Sequence, residues 1–141
     1  MPAQLIKGGA YSDERGGLRY FNAFDMQPVK RVYIITHPDE TIVRAWQGHQ
    51  KETKWFLVTK GCFQFVLLQP DNWVNPSPQQ NLEHFTIHAN DNAVLQVPAG
   101  YVNGFKANEP DSELMVFSDF GLEDSKQDDF RFDSSLWYKW Q

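Results

Sequence analysis

Arg44-Ala45-Trp46-Gln47-Gly48-His49-Gln50-Lys51-Glu52-Thr53-Lys54-Trp55-Phe56-Leu57-Val58-Thr59-Lys60-Gly61 reads as a strand, a polar turn, a second strand and a glycine turn. A strand sends residues two apart to one face, so Gln47 and His49 point together. Lys54 opens the apolar run Trp55 to Val58, and its ammonium turns to the same hollow. An amide, an imidazole and an ammonium aimed into an aromatic-rich barrel make a candidate small-molecule site. Arg44 is out of phase with Gln47 and His49 on an ideal strand. It faces the hollow only if a bulge or bend intervenes.

Upstream of that stretch, residues 1–9 read as an entry arm. Gly8-Gly9 and Asp13-Glu14-Arg15-Gly16-Gly17 are turn signals, and Leu18 to Phe21 is a short strand. Lys30-Arg31-Val32-Tyr33-Ile34-Ile35-Thr36 is the first strong strand, rich in β-branched residues. His37-Pro38-Asp39-Glu40 ends it, since Pro38 cannot donate to a ladder, and His37 is assigned to the loop. Downstream, Cys62 to Leu68 is a strand, and the proline-rich run Gln69 to Leu82 is a long exposed loop. Glu83 to His88 alternates, with Phe85 and Ile87 on one face and solvated His84 and His88 on the other. Ala93 to Val97, Val102 to Ala107 and Glu113 to Phe120 complete the strands, joined at Pro98-Ala99-Gly100-Tyr101 and Asn108-Glu109-Pro110-Asp111. Eight or nine short strands with almost no helical period predict an all-β jelly-roll barrel. The reading is one domain over 1–141, with the barrel at about 11–120. Glu123 to Asp129 reads as a solvated acidic loop. The aromatic tail, Phe130-Arg131-Phe132 and Leu136-Trp137-Tyr138-Lys139-Trp140, must dock on its own barrel or a partner's.

The chain has 141 residues, long enough for a real core, with 41% hydrophobic and 22% charged residues. Its net charge of −5 and lack of a basic block argue against nucleic acid or an anionic membrane as partner. The single cysteine, Cys62, lies in an apolar run and reads as a buried thiol. No run approaches the ~18 apolar residues of a membrane span, and no signal-peptide pattern opens the chain. A cytoplasmic protein is the expectation. Five Trp, five Tyr and eleven Phe fit a β-rich core and also offer walls for stacking a sugar or base.

The layout resembles a cupin, with a His-bearing strand pair, a glycine turn and a Pro-x-Gly corner. The resemblance implies a double-stranded β-helix. Metal-binding cupins carry their ligands where this chain has Gln47, His49, Lys54 and Asn103. Only one of those four is a good ligand and one is a cation, so no metal is expected. Among metal-free cupins the chain resembles the dTDP-4-dehydrorhamnose 3,5-epimerases and dTDP-4-keto-6-deoxyglucose 3,4-ketoisomerases. Five segments carry this in order: Asp13 to Leu18, Lys30 to Tyr33, Arg44 to His49, Val97 to Phe105, and the tail from Phe130 to Trp140.

The resemblance implies an isomerase acting on a nucleotide-linked 4-keto-6-deoxy sugar without a cofactor. It also implies a homodimer with N-terminal strand exchange. The family's base histidine aligns with Gln47, the epimerases' tyrosine acid falls near Met115, and the corner histidine is Asn103. An amide has no useful basic lone pair near neutral pH. His49 is therefore the candidate base, Lys54 the enolate stabiliser, and Tyr33 and Tyr101 the candidate acids. Arg44 is assigned to the pyrophosphate, whose oxygens suit a planar fork. Trp46 and Phe105 are candidate stacking surfaces, and Gln47, Asn103 and Asp119 complete the substrate contacts. In a purely structural reading, Lys54 would instead pair with Glu52 or Asp119. The alternative function is a non-catalytic binding protein for a sugar nucleotide or other small ligand, which Gln47 and Met115 favour.

Overall fold

Alternating burial marks the strands. Along Arg31–His37 the odd-numbered side chains turn inward while Val32, Ile34 and Thr36 face out. The computed structural model describes residues 2–141. The strands are β1 (Gln4–Lys7), β2 (Gly9–Asp13), β3 (Gly16–Tyr20), β4 (Arg31–His37), β5 (Val43–His49), β6 (Lys54–Lys60), β7 (Cys62–Leu68), β8 (Glu83–His88), β9 (Ala93–Val97), β10 (Tyr101–Ala107), β11 (Ser112–Ser118) and β12 (Phe130–Arg131). One short helix, α1 (Leu122–Lys126), precedes β12.

The strands form two antiparallel five-stranded sheets and a hairpin. The first sheet runs β1-β9-β6-β11-β4 and the second β12-β5-β10-β7-β8, while β2 and β3 pair only with each other. The all-β jelly-roll expectation therefore holds. The additional strands are short or depend on distant partners. β1 exists by pairing Gln4–Lys7 with Ala93–Gln96, and β12 by pairing Phe130–Arg131 with Gly48 and Gln47.

The inner faces meet in a core built on Phe56, Phe63, Phe65, Phe105, Leu95, Leu114 and Val116. Phe56, Phe65 and Phe105 have ring centroids 5.4–5.7 Å apart, in the range of favourable tilted and edge contacts. Two outer layers close the sandwich. Phe24, from the segment after β3, covers Trp55 and Phe117 on the first sheet. The aromatic tail covers Trp46, Val66, Leu68 and Val102 on the second, so it docks on its own barrel. Cys62 is buried, as expected. No helix among the described residues is long and apolar enough to cross a membrane.

Two expectations are corrected. His37 is the last residue of β4, fully buried between Phe63 and Phe105, and not a loop residue. Pro38 ends the strand one residue later than the sequence reading placed the end. The stretch Glu123 to Asp129 is not a plain solvated loop. It holds most of α1, and it buries Ser125 and Asp128. Asp128 is buried because its two oxygens accept the backbone N–H groups of Gln50, Lys51 and Glu52 at 2.8–2.9 Å. That carboxylate fastens the turn between β5 and β6 to the segment leading into β12.

Candidate ligand site

Strands β4 and β5 are not paired with each other, and a hollow of about 390 Å³ opens between the two sheets there. Tyr33 and Ile35 line it from β4, Arg44 and Gln47 from β5, Lys54 and Phe56 from β6, Asn103 and Phe105 from β10, and Arg131 from β12. Phase alone would turn Arg44 away from Gln47. The pairing of β5 with β10 slips between them: Asn103 faces Gln47 and Phe105 faces Arg44. Ala45 and Trp46 thus oppose the single residue Gly104, which is a β-bulge. A side chain on Gly104 would meet Ala45 and Trp46 at 2.8 Å, so the bulge needs glycine there.

No carboxylate lines this hollow among the described residues, while Arg44, Lys54 and Arg131 all do. Lys54 is 3% exposed, and its ammonium donates to Gln47 Oε1 at 3.2 Å. It also stands 5.8 Å from the centre of the Tyr33 ring, within cation–π range, and Arg31 flanks the same ring at 5.3 Å. Neither Glu52 nor Asp119 pairs with Lys54. Glu52 meets Arg31 at 3.4 Å, and Asp119 accepts the N–H of Thr53 at 2.8 Å. A buried ammonium without a carboxylate partner among the described residues, near two guanidinium groups, gives the hollow a lining whose charge suits an anion.

The Gln47 amide is held on both sides. Its oxygen accepts from Lys54 and its nitrogen donates to Asp129 Oδ1 at 3.1 Å. Burial acts to raise the Asp129 carboxyl, but hydrogen bonds from Arg131 and Gln47 hold it below the usual carboxylate range. A second hollow of about 400 Å³ adjoins the first and shares Tyr33, Gln47, Lys54 and Arg131 with it. Arg31, Lys126 and Asp129 line this outer part. The two together can take an elongated ligand with more than one charged group.

His49 lies outside the lining of both hollows and is 3% exposed. Its Nδ1 is 2.7 Å from the Asp128 carbonyl, which only accepts, so Nδ1 carries the hydrogen. Nε2 then holds a lone pair, buried and without a partner. Burial, and next the nearby Lys54 charge, push this imidazole below its ordinary value, so it is neutral near pH 7. Behind it Glu52 accepts from Ser118 at 2.5 Å and Ser125 at 2.7 Å. His49, Glu52 and Asp128 converge within 4.8 Å, yet the carboxylate oxygens are already hydrogen-bonded. The donor set is thus committed to holding α1 and the turn.

Of the residues singled out from sequence, Arg44, Gln47, Lys54, Tyr33, Asn103 and Phe105 meet at the hollow. Trp46 also borders the hollow, though with its indole turned away from it, and Tyr101 and Asp119 are placed elsewhere. The Trp46 indole is 1% exposed, packed on Trp137 and Trp140, with its Nε1 donating to the Leu136 carbonyl, so it offers no free stacking face. Tyr101 is buried and donates to Glu83 at 2.8 Å while accepting the N–H of Ala3. Asp119 caps the turn before β6. The sequence reading missed Arg31, His37, Asp129 and Arg131. Arg31 and His37 had a usable signal, since period two from Tyr33 places both on its face. Asp129 and Arg131 had none, because their approach depends on where the tail docks.

No known family profile matches the chain, and no curated protein matches it by sequence. Solved structures do match. A dTDP-4-dehydrorhamnose 3,5-epimerase from Bacillus anthracis, with TDP and pyrophosphate bound, is similar with a TM-score of 0.75 at 16% identity, over 98% of this chain and 84% of that one. A sugar 3,4-ketoisomerase from Thermoanaerobacterium thermosaccharolyticum in complex with TDP gives 0.72 at 21% identity, over 92% and 88%. A 3'-monoepimerase from Streptomyces bikiniensis in complex with dTDP-quinovose gives 0.76 at 17% identity, over 94% and 70%. At these identities the likeness is one of fold, and the fold is that of the dTDP-sugar 3,5-epimerases and 3,4-ketoisomerases.

Proposed function

We propose that this protein is a metal-free isomerase, of the 3,5-epimerase or 3,4-ketoisomerase type, acting on a nucleotide-linked 4-keto-6-deoxy sugar. One observation carries the reading. Among the described residues Lys54 is a buried ammonium without a carboxylate partner, in a hollow also lined by Arg44, which has no carboxylate partner either, and by Arg131, which pairs with Asp129 at 2.7 Å. The ligands bound by proteins of the same fold, TDP and dTDP-quinovose, have the matching charge. In such a reaction the 4-keto group acidifies the neighbouring C–H bonds. A base takes one proton, a cation holds the enolate oxygen, and an acid returns a proton. Lys54 suits the enolate oxygen, Arg44 and Arg131 the phosphates, and Tyr33 the returning proton. His49 is the base this reading assigns, with its free lone pair on Nε2.

A second reading, a non-catalytic binder of the same ligand, has its own support. Gln47 stands on the wall of the hollow, and His49 lies behind that lining. Deuterium uptake from D2O into dTDP-4-keto-6-deoxyglucose, followed by NMR, separates the two. Exchange at C3 or C5 that disappears in His49→Asn supports the isomerase and names its base. Saturable binding by calorimetry without exchange supports the binder. Absence of both overturns the sugar-nucleotide reading for this substrate.

We also propose a homodimer. Hairpin β2–β3 leaves Tyr11, Leu18 and Tyr20 exposed, and Val32 and Ile34 are exposed on the edge strand β4. An isolated hairpin is marginal in water, and a second copy would cover both apolar surfaces. Sedimentation at micromolar concentration should give a dimer for the wild type and a monomer for a Leu18→Glu, Ile34→Glu double variant. A wild-type monomer overturns the proposal.

A further inference from the structure

Arg44 is exposed at the mouth of the hollow, and exposed arginines on a strand edge ordinarily sample many rotamers. This one is tethered. Its Nε donates to His37 Nε2 at 3.2 Å, across the gap between the unpaired strands β4 and β5. No carboxylate forms a salt bridge with Arg44 among the described residues. Among the described residues the only bond to its guanidinium therefore uses Nε and leaves both terminal nitrogens for a ligand. His37 is itself fixed, with its ring fully buried against Phe63 at 5.3 Å and Phe105 at 6.0 Å. Because Arg44 can only donate, His37 must be neutral, with its hydrogen on Nδ1, and that Nδ1 is buried without a partner.

We infer that His37 is a positioning residue: it aims the Arg44 fork into the hollow, and it does so only while its imidazole is neutral. The inference rests on the reading of the hollow as an anion site. Protonation would remove the acceptor and set a cation against the guanidinium, so the tether would open and ligand affinity would fall. The charged groups around His37 are few. Arg44 faces it from β5 and Asp39 from the loop after β4. At its own end of the barrel, Lys60 of β6, Glu113 of β11 and Asp111 line a small hollow with it, and β7 and β10 present the rings of Phe63 and Phe105. Burial, then Arg44, push its titration below the ordinary range, with Asp39 opposing.

The test is calorimetric binding of TDP between about pH 5 and about pH 8 to wild type, His37→Gln and His37→Phe. Wild-type affinity should fall at the acid end. His37→Phe, which keeps the packing and removes the acceptor, should bind about tenfold more weakly at neutral pH. His37→Gln, whose amide oxygen accepts the same bond, should bind more tightly than His37→Phe and show a smaller acid-end fall than the wild type, the remainder coming from the terminal phosphate of TDP, which takes up a proton near pH ~6. Equal affinity of His37→Phe and wild type, or the wild-type pH profile in His37→Gln, overturns the inference. A wild type that binds neither TDP nor pyrophosphate overturns the anion-site reading instead, and the tether is then judged in the free protein by NMR. An Arg44 Nε–H signal protected from exchange and moving with the His37 titration supports it. A freely exchanging Nε–H signal that ignores that titration overturns it.

Discussion

Lys54 concentrates the conflict between stability and binding in one side chain. Taking an ammonium out of water is costly, and here the direct hydrogen-bonded return is one neutral amide at 3.2 Å. Methionine has a similar length and no charge. Lys54→Met should raise stability by about 1 kcal/mol in urea unfolding and weaken TDP binding by about tenfold or more in calorimetry. A variant that loses both would mean the ammonium is structural. Gln47 makes the complementary point. Residue 47 reaches both the hollow and Asp129 Oδ1, but with an amide that takes no proton. Gln47→His would put a titratable ring between a carboxylate and the hollow. Deuterium exchange into a 4-keto sugar should then rise about a hundredfold over the wild-type rate, measured by NMR.

Among the elements, the segment from α1 to β12 contributes most beyond its length. Helix α1 has only five residues and could not persist alone. Contacts distant in sequence hold it in place. Asp128 accepts three backbone N–H groups of the turn before β6, and Ser125 donates to the buried Glu52. β12 then pairs with Gly48 and Gln47 and delivers Arg131 to the hollow. Asp128→Ala would leave three N–H groups without their acceptor. The expected cost is about 3 kcal/mol, read as a lower urea midpoint, together with weaker TDP binding as Arg131 loses its place. Asp128→Asn retains one good acceptor oxygen and should fall between.

For the whole molecule, two buried histidines contribute to the response to mild acid. His37 and His49 are both held below the ordinary imidazole value, in each case first by burial. The unfolded chain binds a proton at each near pH ~6.5, and the folded chain binds it only at lower pH. Between those two values the unfolded state carries more protons, so stability falls as pH falls and is level above that window. Urea midpoints at about pH 7.5 and about pH 5 should show the drop, and a His37→Gln, His49→Asn double variant should show less of it.

Much of this was legible in order along the chain, because the information is local. Period-two alternation, the glycine turns and the Pro-x-Gly corner fix strands such as Cys62–Leu68 and Ala93–Val97 wherever they finally pack. The same alternation put Gln47 and His49 on one face, yet only Gln47 lines the hollow, beside Lys54 of the next strand, while His49 is buried behind it and Arg44 needed a bulge to join them. The rest depended on contacts distant in sequence. Trp46 looked like a stacking surface until the tail, some ninety residues on, packed over it and accepted its indole N–H. Glu123 to Asp129 looked solvated because acidic residues usually are, yet Asp128 is buried where three backbone donors had no other partner. Whether a side chain faces a ligand, a core or solvent is settled by what packs against it, and local patterning carries no record of a partner that far away.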